Sequence, residues 1–236
     1  SLDDTHGNIH LSGQCNLSTP VPSANMKLAV SEFNPHALQL TDKYKDTKFR
    51  FNLAADFKGK SLNLAEGQLV LHDFSMESPT KTYQFATLTV KAGYENKEHF
   101  VQINSDFGNA DLRGHYDFTT LVQSFTNLVG SKLPTLPGLP KQTRSRNNNF
   151  SITANIENTE WLQQLFDIPL TLHQPAHIKG KMSDKEKKLD MTLSMPQFSY
   201  KGNDFEQGFI DIKTPNDTLK TDIRLNRIES TGHRFA

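Results

Sequence analysis

The 236-residue sequence has one cysteine, Cys15, and one tryptophan. A single thiol cannot close an internal disulfide, which fits a cytosolic or periplasmic protein and argues against a small disulfide-stapled secreted scaffold. Neither charge sign is in excess, with 26 Lys and Arg against 26 Asp and Glu. Nothing therefore favours a polyanion-binding surface, and no nucleic acid partner is expected. No stretch approaches the ~20 apolar residues of a spanning helix, and the mean hydropathy is -0.58. Catalytic signatures are missing as well: there is no Gly-x-Ser-x-Gly turn and no glycine-rich phosphate loop before a helix. Close histidine pairs are limited to His6 with His10 and His173 with His177. The second pair flanks Pro175 in strand-like sequence, where residues four apart stand about 13 Å from each other, a poor metal spacing. No catalytic residue, metal or cofactor is expected. The first methionine is Met26, so any signal peptide or membrane anchor is expected to lie outside this stretch.

What is present is alternation with a period of two. Phe49, Phe51, Leu53, Ala55 and Phe57 interleave with Lys48, Arg50, Asn52, Asp56 and Lys58, the pattern of a long half-buried strand. Ile9, Leu11, Cys15 and Leu17 around Gly13 read the same way. So do Leu69 and Leu71; Leu88, Val90, Ala92 and Tyr94; Val101 and Ile103; Ala110, Leu112, Gly114 and Tyr116; Leu189, Met191, Leu193 and Met195; and Ile223 and Leu225. Short polar turns separate many of these runs: Lys58-Gly59-Lys60, Glu95-Asn96-Lys97, Ser183-Asp184-Lys185-Glu186 and Pro215-Asn216-Asp217. Such turns predict antiparallel up-and-down connections, because a parallel crossover needs a dozen or more residues.

The chain also repeats itself. Phe57-Lys58-Gly59-Lys60 returns as Ile178-Lys179-Gly180-Lys181, Leu88-Thr89-Val90-Lys91 as Ile210-Asp211-Ile212-Lys213, and Val101-Gln102-Ile103-Asn104 as Ile223-Arg224-Leu225-Asn226, each about 121 to 122 residues later. Repetition of this kind signals stacked modules whose function resides in a shared surface. Two segments break the strand pattern. Apolar residues at Phe118, Leu121, Val122, Phe125, Leu128 and Val129 predict a helix over 118–132, with Asp117 or Thr119 as cap and Gly130 near its stop. Thr159 to Phe166 reads as a shorter helix with Asn158 or Thr159 as cap, and Asn34 to Leu40 as its weaker counterpart. Leu133-Pro134-Thr135-Leu136-Pro137-Gly138-Leu139-Pro140 suits neither a helix interior nor a central strand. With Lys141, Arg144, Arg146 and Asn147-Asn148-Asn149 as a solvated flank, it predicts a linker over 133–148. The expected organisation is a first β module over 1–132 and a second, truncated one over 149–236.

Burying each large apolar side chain of such strands is worth about 1.5 to 3 kcal/mol, so the apolar faces call for a cover. The two helices are too short to cover some ten strands. A facing sheet would give a β-sandwich; a curved sheet folded into a U-shaped groove would leave the face to an apolar ligand. The groove is the fold expected here, mainly β with one or two short helices, and the sandwich is its runner-up.

Asp111-Leu112-Arg113-Gly114-His115-Tyr116-Asp117-Phe118 running into the helix, Leu133-Pro134 with its proline-rich tail, and Phe166-Asp167-Ile168-Pro169-Leu170 followed by Ala176-His177-Ile178-Lys179-Gly180 together resemble the TamB family. That family is similar to the wider AsmA-like group. The resemblance implies a non-enzymatic periplasmic segment of a longer protein anchored in the inner membrane of a Gram-negative envelope. It further implies an apolar β groove that carries phospholipid or other acyl-chain cargo, and a full-length protein that engages an outer-membrane barrel protein of the TamA or BamA kind. The groove would be lined by Phe49, Phe51, Leu53, Phe57, Leu69, Leu71, Leu88, Val90, Val101, Ile103, Leu112, Ile178, Leu189, Met191, Leu193, Ile210, Ile212, Ile223 and Leu225. Two other roles compete: a chaperone surface that pairs its edge strands with an unfolded barrel protein, and a structural strut whose apolar faces are internal.

Overall fold

Side chains alternate between the two faces of a strand, so a period-two sequence makes one face apolar and the other polar. The computed structural model describes residues 2–4, 7–132 and 147–228, and the expected linker lies outside the described residues as far as residue 146. The chain is mainly β, with fourteen strands and two α-helices among the described residues, and it divides into two compact units, Ser1–Asp111 and Leu112–Ala236.

In the first unit β1 (Leu2–Asp4), β2 (Gly7–Asn16), β3 (Ser23–Phe33), β4 (Lys48–Lys58), β5 (Glu66–Glu77), β6 (Thr82–Glu95), β7 (Glu98–Ser105) and the start of β8 (Gly108–His115) follow one another as an antiparallel meander. The expected up-and-down order is observed. Asn96 and Lys97, with φ of 51° and 67°, form the two-residue turn between β6 and β7, the left-handed pair that matches strand twist. Register aligns the apolar positions into rows. Leu11, Leu28, Leu53, Leu71 and Leu88 stand opposite one another across five strands. The next row runs Gly13, Met26, Ala55, Leu69, Val90 and Ile103 across six. The reverse face of the same strands carries His10, Ala29, Asn52, His72 and Thr87 in one row.

One irregularity decides where this unit closes its core. On β5 the pairing with β4 slips between Arg50 and Asn52, at Asp73, whose φ is 56°. The extra residue turns Phe74 and Met76 onto the apolar face that Asp73 and Ser75 would otherwise occupy. On β6 the matching break leaves the Ala86 N–H to donate to Asp106 Oδ2 at 2.5 Å. Phe74 then stacks on Phe85 with centroids 4.6 Å apart, and Phe49, Phe51 and Tyr83 gather around it at 6.3 to 6.4 Å. Phe74, Met76, Tyr83, Phe85 and Val30 are buried.

In the second unit the end of β8 is followed by β9 (Asn149–Ile156), β11 (Ala176–Ser183), β12 (Lys188–Tyr200), β13 (Asn203–Lys213) and β14 (Lys220–Arg227), again antiparallel. β10 (Leu170–Leu172) pairs with the far end of β12. Gln207 (φ 54°), at the bulge in the β13–β14 pairing, sits opposite Pro196 of β12. Helix α1 (Leu121–Lys132) lays Leu128 on Met182 and Leu189, with Phe125, Val129, Phe150, Met191 and Ile212 around them. Within each unit the described strands form one hydrogen-bonded path, and neither unit holds a second sheet facing the first, as a sandwich requires.

Buried polar contacts fix α1. Asn148 donates from Nδ2 to Ser124 Oγ at 2.6 Å and to Thr120 Oγ1 at 3.2 Å, and its Oδ1 accepts from the Asp117 N–H at 2.7 Å. Asp184 Oδ2 accepts from Ser124 Oγ at 2.8 Å and from the Asn148 N–H at 2.9 Å. Asn148 and Ser124 are 0 % exposed. This corrects one expectation. The asparagine run does not solvate a linker, since Asn148 is the centre of the network and Asn149 opens β9. The polar turn after β11 takes part as well, because the Asp184 carboxylate closes the network.

Other local expectations shift by a few residues. α1 starts at Leu121, and Asp117 Oδ1 instead accepts from the Thr119 N–H and hydroxyl one turn earlier. Gly130 is buried inside the helix and does not end it. Helix α2 (Glu160–Phe166) begins where expected, but Thr159 makes no side-chain cap; its hydroxyl donates to the Leu170 carbonyl and accepts from the Leu172 N–H, tying β10 down. Asn34 to Leu40 is a single turn, closed by Leu38 N–H to the Asn34 carbonyl and by Ala37 N–H to Asn34 Oδ1. Lys58-Gly59-Lys60 is not a tight hairpin: residues 59–65 form a longer connection with a 3-10 turn at Leu62–Leu64.

Replacing Asn148 with alanine leaves the Ser124 hydroxyl and the Asp117 N–H without this buried partner, a loss of about 1–3 kcal/mol. Urea unfolding followed by the fluorescence of Trp161, which lies in the same unit against Phe166, will show a lower midpoint.

Candidate apolar binding face

The expected lining residues fall into three environments. Phe49 and Phe51 on β4 belong to the closed aromatic cluster. Leu53 on β4, Leu69 and Leu71 on β5, Leu88 and Val90 on β6, and Val101 and Ile103 on β7 form neighbouring positions of two or three cross-strand rows, and all are half-buried. Phe57 continues them in the row Cys15, Ala24, Phe57, Gly67, Ala92 and Val101. The first unit contains no α-helix among its described residues, so no helix of this unit lies over those rows.

In the second unit the same pattern is partly covered. Ala154, Ile178, Leu193, Ile210 and Ile223 make a row across β9, β11, β12, β13 and β14. Leu189 and, partly, Met191 and Ile212 pack under α1, and Leu189 is 0 % exposed. Leu112 is half-buried on β8. Ile223 and Leu225 sit on β14, whose eight residues are all exposed and which pairs only with β13 among the described strands.

Glycine completes the first unit's rows at a point of close approach. Gly67 has φ of 147°, and a Cβ there would lie 1.9 Å from the Asp56 carbonyl oxygen. Only glycine fits this contact, and it keeps β4 and β5 in register at Phe57.

Charged groups are kept on the other face. A depression of about 550 Å³ on that side is lined by His10, Lys27, Asn52, Ala54 and His72 among others. Beside the β5 bulge lies a second, of about 480 Å³, lined by Arg50, Asp73, Ser75, Gln84 and Asp106 among others. His72 Nδ1 stands 2.6 Å from Asp73 Oδ2, and this hydrogen bond, with a further one from Asn52, holds the Asp73 carboxyl below the usual carboxylate range. Both depressions are open, and the apolar rows carry no Lys, Arg, His, Asp or Glu side chain. Chemically the apolar face can do one thing well, which is to shield hydrocarbon from water without directional contacts.

Sequence reasoning missed the closing residues Phe74, Met76, Tyr83 and Phe85. Alternation at Tyr83 and Phe85 was available as a signal; the phase change at Asp73 was not, because a bulge leaves no mark in residue type. No family model, curated protein or solved structure matches this chain.

The closed and open parts of β5 lie three residues apart, which permits a direct comparison. Phe74→Ala is expected to cost about 3–5 kcal/mol, whereas Leu71→Ala, half-buried, will cost about half of the 2–5 kcal/mol of a fully buried leucine. Paired denaturant titrations of the two variants check the contrast.

Proposed function

We propose that this chain is a lipid-holding β-sheet segment of a TamB-like periplasmic protein, with no enzymatic role. Its apolar rows would take up the acyl chains of phospholipid moving between the inner and outer membranes, in support of outer-membrane biogenesis. The observation that carries the reading is the pair of uninterrupted apolar rows through Leu53, Leu71 and Leu88 and through Leu69, Val90 and Ile103, left half-buried beside a sheet face that is otherwise polar. Half-burial along three or more strands gives an elongated strip, the shape of an acyl chain. Contacts of this kind are non-directional, so cargo is held without strong head-group selectivity and is released again, as transfer demands. The resemblance to TamB supplies the compartment, the anchor beyond this stretch, and the outer-membrane barrel partner.

Uptake of a fluorescent phospholipid by the purified chain tests this. Val90→Lys puts a cation in the middle of the strip while its long stem can still reach water, so the circular dichroism spectrum will be retained and uptake will fall about tenfold or more. Unchanged uptake by the folded variant would contradict the reading.

A second reading draws on β14. Its outer edge is unpaired among the described strands and Ile223 and Leu225 are 65 % and 52 % exposed, which favours addition of a strand from an unfolded barrel protein. Successive residues of an edge strand alternate the direction of their N–H groups, so of Ile223→Pro and Arg224→Pro one removes an outward donor. If strand addition operates, one of the two will abolish capture of a barrel-protein hairpin peptide while lipid uptake is retained; equal capture by both would argue against it.

A further inference from the structure

The charges of β14 do not match those of the strand it pairs with. Against β13 it sets like charges directly opposite one another: Asp222 faces Asp211, and Lys220 faces Lys213. Like charges in opposite positions of an antiparallel pair are destabilising. The repulsion is answered along each strand, since Lys213 Nζ stands 2.8 Å from Asp211 Oδ2 and the Arg224 guanidinium pairs with Asp222. Asp222 therefore has no cation opposite it on β13. Among the described strands β14 pairs only with β13, so its outer edge is where a strand could supply one.

A strand added at this edge has to keep the two faces of the sheet apart. Ile223 continues the apolar row of Ile178, Leu193 and Ile210, and Thr221 and Leu225 share its side of β14; Lys220, Asp222, Arg224 and Asn226 take the polar side. Antiparallel pairing of β14 with the same strand of a second copy keeps the faces apart only when the two-fold axis runs through a residue that faces its own counterpart. Centred on Asp222 or on Arg224, this pairing sets identical charges on each other. Centred on Leu225, it sets Ile223 against the partner's Arg227, and axes nearer either end of the strand engage at most three of its residues. Centred on Ile223, it places Asp222 opposite the partner's Arg224 and Arg224 opposite the partner's Asp222. Lys220 then meets the neutral amide of the partner's Asn226, and Leu225 meets the partner's Thr221.

We infer that β14 is a dimer edge, at which two copies of this chain join into one continuous sheet about a two-fold axis at Ile223. The opposite charges that β13 does not offer are supplied across the axis, and Ile223 and Leu225, 65 % and 52 % exposed in the single chain, gain apolar neighbours. An isologous contact of this kind closes at two copies. The inference goes beyond acyl-chain holding and does not depend on it. It gives to a second copy the edge that the strand-addition reading gives to a barrel protein.

Sedimentation velocity of the full chain over a range of concentrations tests the inference, and a monomer–dimer equilibrium without larger species is expected. D222R and R224D each set like charges across the axis and will raise the dimer dissociation constant about tenfold or more. The double variant D222R/R224D exchanges the two charges, restores the opposite pairs and will recover the wild-type constant to within about threefold, with all three circular dichroism spectra unchanged. Cys15 is the one cysteine of the chain; in a Cys15→Ser background Ile223→Cys will form a disulfide-linked dimer on mild oxidation and Lys220→Cys will not. A chain that stays monomeric at every concentration, species larger than a dimer, single variants that associate as well as wild type, or linkage through Lys220→Cys and not Ile223→Cys overturns the inference. A monomeric chain that still captures the barrel-protein hairpin peptide overturns the dimer and leaves strand addition standing.

Discussion

The first unit of this protein depends on a mismatch between apolar strand face and available cover. Its strands β2 to β7 align leucine, valine and isoleucine into rows across five and six strands, yet its described residues include no α-helix to lay over them. Each fully buried aliphatic side chain is worth about 1.5 to 3 kcal/mol, so a face left half-buried forgoes part of that stabilisation. The unit's fully buried packing then lies elsewhere on the sheet.

It comes from the bulge at Asp73. By changing the phase of β5, this one residue with a left-handed backbone converts the upper part of the face into a packed aromatic core of Phe74, Phe85, Tyr83 and Phe49. Aromatic pairs of this geometry contribute beyond their buried area. The unit is thereby divided along its strands into a closed aromatic end and a part whose apolar rows stay half-buried. The second unit solves the same problem with a helix: α1 covers Leu189 and Met182, and the Asn148, Ser124 and Asp184 contacts set where it sits.

Strand direction and face were legible because alternation is a direct readout of burial. Phe49 to Phe57 reads as one strand, and of the apolar positions read on α1 Phe125, Leu128 and Val129 are found against Met182 and Leu189, whereas Val122 is exposed. β3 was not read, although its Met26, Leu28 and Val30 continue the rows. Small and polar neighbours dilute its pattern. Features set by tertiary partners were out of reach. Asn148 sits in an Asn-Asn-Asn run whose composition is that of solvated loops, and partners distant in sequence, among them Ser124 and Asp184, 24 and 36 residues away, make it a buried centre. Thr159 had the right type for a helix cap, but β10 offered its hydroxyl better partners. The alternating apolar positions were legible as strand positions; their division into aromatic cluster, half-buried rows and exposed edge was not, because Asp73 and α1 decide it.

Photocrosslinking with a phospholipid carrying a photoactivatable acyl chain, followed by peptide mapping, addresses the open rows most directly. If they hold hydrocarbon, adducts assigned to single residues within those peptides will concentrate on Leu53, Leu71, Leu88 and Val90 and will spare the polar-face positions Asn52, His72 and Thr89. Adducts spread equally over both faces, or absent from the row residues, would contradict an apolar face that binds acyl chains.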